Sequence, residues 1–283
     1  MGETQPVDGG QTALWNGLAG RGWVEMQALT DQLYQPFEDL LVDAVAAVSK
    51  GAVLDVGCGT GGTTIAAARR LGRDSRCTGV DISEPMIAAA RARVERDGTR
   101  AQFVRADAQV HPFDPASVDT IMSRFGVMFF DDPVRAFANL RRAATDDGAL
   151  RCIAWRTVEE NPFMTTAERA AAPVLPNLPP RRLDAPGQFA FADDRRVHRI
   201  LEDAGWADVE TRPIDVECTL PEKDLVAYLT RLGPVGLILQ EADEQTRARV
   251  VEAVRPAFDP YVHGADVRFT AACWMVEARA VRR

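Results

Sequence analysis

A chain of 283 residues, 46% hydrophobic and 26% charged, has the make-up of an ordinary folded protein, long enough for one large domain or one domain with a sizeable insertion. The formal net charge of −8 argues against nucleic acid or an anionic membrane as the main partner. No apolar stretch reaches spanning length, the polar start does not read as a signal peptide, and five scattered cysteines (Cys58, Cys77, Cys152, Cys218, Cys273) without C-x-x-C spacing suit a reducing cytoplasm better than a disulfide scaffold or a zinc site.

The first ten residues read as frayed, and a glycine-rich stretch with two tryptophans, Trp15 to Trp23, follows. Asp31 to Val48 has helical periodicity, with Leu33, Phe37, Leu40, Leu41, Ala44, Val45 and Val48 on one face. Val53 to Val56 reads as a buried parallel strand, and Thr64 to Leu71 as a helix stopped at Gly72. Cys77 to Asp81 is a second strand; Ser83 can cap the next helix, with Pro85 in its first turn. Ala101 to Ala106 and Val118 to Ser123 are further strands. Pro133 opens another helix, and Asp146-Asp147-Gly148 turns into a fifth strand, Ala149 to Trp155. Strand and helix alternating at this spacing predict an α/β fold with a doubly wound, mostly parallel sheet. Five prolines between 173 and 187 mark a long loop. Asp193 can cap a helix closed by Gly205, short helices are expected between Glu222 and Phe258, and Val267 to Val281 is expected to join the sheet through a hairpin with Val209 to Leu220.

The first strand leads into Val-Leu-Asp-Val-Gly-Cys-Gly-Thr-Gly-Gly-Thr-Thr at 53–64. Gly57, Gly59 and Gly61 let backbone N–H groups approach a ligand. Asp55, ionised inside an apolar strand, needs a polar or cationic partner. Asp81 ends the second strand twenty residues after Gly61, where a ribose diol is held in nucleotide-binding α/β folds. Asp107 follows the third strand and can accept from an exocyclic amine such as that of adenine, or be a solvated turn residue. All three carboxylates fall at or near strand carboxyl ends, the rim where such sheets bind ligands.

These segments, with Gly-Val-Asp-Ile-Ser at 79–83 and Ala-Asp-Ala at 106–108, resemble the class I S-adenosylmethionine-dependent methyltransferases over about 50–155. The subgroup most similar is that of small-molecule enzymes like the ubiquinone/menaquinone C-methyltransferases (type 11). The resemblance implies a Rossmann-like sheet of seven strands, an N-terminal helical lid over 1–30, a cofactor-binding core over 31–156, a helical substrate and lid region over 157–265 with one returning strand, and a terminal strand over 266–283. It implies S-adenosylmethionine as cofactor, with S-adenosylhomocysteine as product. Asp55 and the loop Gly57, Cys58, Gly59, Thr60 and Gly61 would face the methionine part, Asp81 the ribose, Ile82 the adenine face, and Asp107 and Ala108 the adenine edge. Ser123 and Arg124 follow the fourth strand, where the family places cofactor and substrate contacts; Arg124 could meet the methionine carboxylate or a substrate acid, or serve a structural ion pair.

Methyl transfer is an in-line displacement needing alignment and water exclusion, with no metal or covalent nucleophile. Trp23 could cover the sulfonium or simply pack on the sheet, and Tyr34 could reach the pocket or belong to the core. His111 near the rim could take a proton from the acceptor or be a hydrogen-bonded loop residue. Arg181-Arg182 and Asp193-Asp194-Arg195-Arg196 read as solvated charge, though either arginine pair could meet an acidic substrate. Apolar residues across 155–265 suggest a small, at least partly apolar acceptor. An NAD(P)-dependent oxidoreductase on the same glycine loop, a cofactor-binding scaffold without turnover, and a protein methylase stay open as alternatives; the position of Asp55 and the apolar terminal strand argue against the first.

Overall fold

A computed structural model describes residues 10–183 and 185–281. The expectations for residues 1–9 and 282–283, a frayed start of the lid and the end of the last strand, lie outside the described residues. In chain order the elements are α1 (Gly10–Asn16), α2 (Leu18–Glu25), α3 (Gln27–Ala46), β1 (Ala52–Val56), α4 (Gly62–Leu71), β2 (Arg76–Asp81), α5 (Glu84–Asp97), β3 (Gln102–Arg105), β4 (Val118–Arg124), α6 (Pro133–Ala143), β5 (Ala144–Trp155), α7 (Pro162–Ala171), α8 (Asp194–Asp203), β6 (Ala207–Pro221), α9 (Leu225–Arg231), α10 (Gly233–Glu241), α11 (Glu244–Val254), β7 (Val262–His263) and β8 (Asp266–Arg279).

The strands form one sheet in the order β3-β2-β1-β4-β5-β8-β6, parallel from β3 to β5 and antiparallel on either side of β8. Two-residue β7 pairs with β8 beside this path, so the sheet has eight strands rather than the expected seven. β1 is central, and Val53 to Val56 are all buried, as a parallel strand covered by helices requires.

Helix ends follow side-chain chemistry where that chemistry exists. Ser83 accepts from the Met86 N–H at the start of α5, which Gly98 closes in the left-handed conformation (φ 65°). Asp132 and Asp193 cap α6 and α8 in the same way. α3 begins at Gln27, a turn before the expected Asp31, behind a Met26 that offers no capping side chain. Its inner face puts Leu33, Phe37, Leu41 and Val45 at 0% exposure, each worth roughly 1.5–3 kcal/mol of burial. Leu40 and Val48, expected on that face, are exposed. The expected turn at 146–148 is an excursion inside β5: the register against β4 runs Val118↔Ala144 and resumes at Thr120↔Ala149.

Candidate active site

The carboxyl ends of β1 to β5 open into a cavity of about 470 Å³. The glycine loop forms its floor, and its three glycines serve different ends. At Gly59 (φ +55°) an added Cβ would meet only Met86 Sδ, at 3.6 Å, so this backbone lies open to the cavity. At Gly57 (φ +69°) a Cβ would fall 2.6 Å from Gly126 Cα, and at Gly61 (φ +85°) 2.6 Å from Phe103 Cζ. Those two glycines permit packing between elements, and Gly61 is not on the cavity wall.

Asp81 is on the wall beside Ile82, its carboxylate accepting from Gly59 N–H (2.8 Å) and Ser83 N–H (2.9 Å). Burial pushes its carboxyl up, and those backbone N–H groups pull it back down. Asp107 lines the next strand end beside Ala108, and accepts from the N–H of Gln109 at 2.9 Å. Cys58 and Thr60 complete the loop's share of the wall. Arg124 enters from the end of β4, donating from Nε to Thr63 Oγ1 (3.0 Å), with its guanidinium 5.8 Å from the centroid of the Tyr34 ring.

Asp55 and Ser123 stand behind this surface. Asp55 is 1% exposed, absent from the wall, and accepts from Thr64 Oγ1 at 2.6 Å. Burial pushes its carboxyl up to about 7, against the Thr64 bond and the nearby Arg124 charge. Ser123 donates to Val56 O (2.7 Å) and accepts from Gly126 N–H (3.1 Å), tying the β1 and β4 loops together. Both act on the site through the loops they hold, where direct ligand contact was expected.

An aromatic series crosses the middle of the cavity. Trp23 stacks on Tyr34 (6.3 Å), Tyr34 meets Phe125 edge-on (5.6 Å), and Phe125 stacks on Trp155 (4.9 Å). The Tyr34 phenol is pushed far up by burial and then by Tyr228 opposite, whose own is pushed up to about 12. α1 and α2 close one side: Ser83 Oγ donates to Trp15 O (2.6 Å), Asn16 Nδ2 donates to Ile82 O (3.1 Å), and Glu84 N–H donates to Asn16 Oδ1 (2.8 Å). Beyond the aromatic series lie α7, Arg181, residues 186–188 and α9–α10, with Phe163, Met164, Tyr228 and Leu232 on the wall.

Residues 53–148 match the family model described as "Methyltransferase domain". These residues carry a methyltransferase domain. The methyltransferase is 29% identical to a demethylmenaquinone methyltransferase of Roseiflexus castenholzii over 60% of this chain and 74% of that protein, and 26% identical to the nocamycin O-methyltransferase of Saccharothrix syringae over 85% and 88%. It spans about three fifths (61%) of uncharacterised proteins of Mycobacterium tuberculosis that it also matches. In fold it is similar to a Haemonchus contortus phosphoethanolamine N-methyltransferase solved with phosphomonomethylethanolamine and S-adenosylhomocysteine, at TM-score 0.54 and 17% identity, covering 87% of this chain and 53% of that one.

The cavity suits a nucleoside-bearing cofactor: an open left-handed glycine, a carboxylate at the end of β2 and another after β3 fall on one rim. The dinucleotide alternative fails on the sheet as well as on the family match. A dinucleotide fold continues with parallel strands beyond its central pair, whereas here β8 lies antiparallel between β5 and β6.

His111 is corrected by the structure. It is not on the cavity wall; its ring packs edge-on against Phe113 at 4.7 Å and its carbonyl accepts from Asn139. Tyr34 does reach the cavity, but its raised phenol keeps its proton and cannot serve as a base. Sequence reasoning missed Asp31, which lines the wall and pairs with Arg93 (3.0 Å), while Arg93 also donates to Thr60 O (3.1 Å). It also missed Asn16 as the clasp on the Asp81 turn, although the glycine-rich Trp15–Trp23 stretch had marked the segment, and Tyr228, which only tertiary packing brings opposite Tyr34.

Proposed function

We propose that this methyltransferase methylates a small, at least partly apolar organic acceptor enclosed beside the cofactor. The observation that carries this is one continuous cavity running from the Asp81 and Asp107 rim, past the Trp23–Tyr34–Phe125–Trp155 series, into the chamber walled by Phe163, Met164, Tyr228 and Leu232. A chamber roofed by helices on both sides favours a small molecule over a protein side chain. The relatives' names point the same way, toward small-molecule acceptors.

In this reading Asp81 takes the ribose hydroxyls, Ile82 lies against the adenine, Asp107 and Ala108 meet its edge, and the Gly57–Gly61 loop runs beside the methionine part with Arg124 facing its carboxylate. Bound there, S-adenosylmethionine supplies an electrophilic methyl on a sulfonium. The chain's own share is to bind, orient and keep water out. Trp23 and Tyr34 present ring faces suited to a cationic sulfur, and the aromatic series leaves an acceptor one direction of approach. Five free, buried thiols support a reducing, cytoplasmic setting, and the acidic balance supports a partner other than nucleic acid.

Calorimetry with S-adenosylhomocysteine tests the cofactor site, with one-to-one binding expected. Incubation with methyl-labelled cofactor and a fractionated extract of small metabolites tests turnover. Label recovered in an organic-soluble product supports the reading. Label on protein alone, or none despite cofactor binding, overturns it in favour of protein methylation or a binding scaffold.

A further inference from the structure

The chamber beyond the aromatic series holds one feature that an apolar acceptor alone does not explain. Arg181, carried by the proline-rich loop, turns back onto α7 with its side chain only 19% exposed, and it stands on the cavity wall. It donates from Nε to Glu168 Oε2 (3.1 Å), from Nη2 to Glu168 Oε1, and from Nη1 to Gln188 Oε1 (3.0 Å). Its guanidinium carbon lies 4.9 Å from the centroid of the Phe189 ring. A guanidinium carries five N–H donors. These three bonds leave two without a described acceptor, on a partly buried cation in a wall that also carries Glu168, Gln188 and Arg231 among apolar residues. An anionic oxygen is the strongest partner such a guanidinium can take.

The second observation concerns protons. The described histidines are all off the wall: His111 packs on Phe113, His198 meets the Thr211 hydroxyl at 3.3 Å, and His263 sits in β7. The wall carboxylates are engaged elsewhere, Asp31 by Arg93, Asp81 by two backbone N–H groups, Asp107 by Gln109 and Glu168 by Arg181. The two tyrosines of the chamber hold their protons, burial being the main cause. An acceptor that had to be deprotonated in the chamber would meet there only the Glu168 carboxylate, already paired with Arg181.

Both observations point to the same substrate class, and the inference rests on the small-molecule reading above. We propose that the acceptor enters as an anion, its acidic oxygen held by Arg181 and its apolar body against Phe163, Met164 and Tyr228. The oxygen's lone pair then forms the new bond to the methyl carbon, the methyl–sulfur bond breaks, and its electron pair stays on sulfur. No proton moves, the negative charge of the acceptor and the positive charge of the sulfonium disappear together, and the product is a neutral ester or enol ether. Arg181 therefore holds substrate and lets go of product.

The test uses the whole chain saturated with S-adenosylhomocysteine and titrated in a calorimeter with two matched pairs. One is 2-naphthoate with 2-naphthamide; the other is 2-phenylindane-1,3-dione, an acidic enol, with 2-phenylindan-1-one. At least one anion is expected to bind about tenfold or more tighter than its neutral partner, the scale of a charge-assisted hydrogen bond. The pair that shows it tells a carboxylic acid from an acidic enol. Arg181→Gln should abolish that preference with the affinity for S-adenosylhomocysteine unchanged. Glu168→Gln, which frees the guanidinium and keeps the side-chain size, should strengthen it, and covers the case in which Arg181→Gln does not fold. Equal binding of acid and neutral partner in both pairs, no binding of either anion, or a preference that survives Arg181→Gln overturns the proposal. Failure of S-adenosylhomocysteine itself to bind would strike the methyltransferase reading instead.

Discussion

Asp55 and Asp81 are two carboxylates at neighbouring strand ends in one site, and they obey different physics. Asp81 faces the cavity and is satisfied by backbone donors that a ribose would join. Asp81→Ala removes a buried acceptor and strands those donors, so it is expected to weaken S-adenosylhomocysteine binding by about 1–3 kcal/mol in calorimetry. Asp55 is sealed behind the loop with its carboxyl at about 7 against an ordinary 3.8. The folded chain keeps a proton there that the unfolded chain has released, so this residue's effect on stability worsens as pH rises from about 4 to about 7. Asp55→Asn retains an acceptor for Thr64 and has no proton to lose. In urea titrations of cofactor-free protein it should exceed the parent by at most ~4 kcal/mol near pH 8 and converge with it near pH 4. A difference independent of pH would mean that Asp55 is not carrying a raised carboxyl. The sequence made Asp81 and Asp107 readable because each follows a strand onto the carboxyl rim of the sheet, where each also accepts from the N–H two residues on. Asp31 was opaque as a wall residue, and Arg181 was legible only as one of a charge pair able to meet an acidic substrate, because their partners are brought to them by packing, Arg93 from another helix and Glu168 from α7.

Among the elements, α1 and α2 have the least intrinsic support and a large share of the site. They are seven and eight residues long, without side-chain caps on α2, and too short to persist alone. What fixes them is the clasp between Trp15–Asn16 and the Ile82–Glu84 turn. Gly20 makes that clasp possible: a Cβ there would lie 1.9 Å from Trp15 O and 2.8 Å from Ser83 Oγ. Gly20→Ala should therefore cost about 1–3 kcal/mol, as overpacking does, and loosen cofactor binding at the same time. A thermal melt alongside calorimetry would read both, and an unchanged melt with normal binding would refute the clasp. The same elements show where sequence reading stops. α5, α6 and α8 announce their starts with Ser83, Asp132–Pro133 and Asp193. The break between α1 and α2 and the start of α3 behind Met26 carry no such side chain, and the chain marks them only by tertiary contact.

At the scale of the molecule, the cavity is walled by segments far apart in the chain: α1–α2, the loops after β1 to β4, α7, Arg181 with residues 186–188, and α9–α10. α2 reaches α9 through Glu25 and Arg231 at 3.4 Å, and residues 186–188 are pinned to the β4 side by Gly187 N–H donating to Met128 O at 3.0 Å. A ligand that fills the cavity should slow amide hydrogen exchange in all of these together, with a stabilisation of about 2.7 kcal/mol at a hundredfold excess over Kd. Protection confined to the glycine loop would mean that the lids do not answer to the ligand. The alternating pattern over 50–155 made the parallel half of the sheet predictable, and the hairpin of β6 with β8 was legible from two apolar runs. What the pattern could not give was a neighbour order, because pairing across the sheet is decided by which edges remain open.

That order has a consequence for how the protein is made. β8 occupies the slot between β5 and β6, and β6 has no other partner strand among the described residues. While the chain is growing on the ribosome, and until residues 266–279 have emerged, β5 presents a bare edge and β6 a pair of them. Unpaired edges of apolar strands recruit other chains. The nascent methyltransferase thus passes through a window in which its glycine-loop half is complete and its sheet is not, and the closing strand follows every other strand of that sheet in the chain.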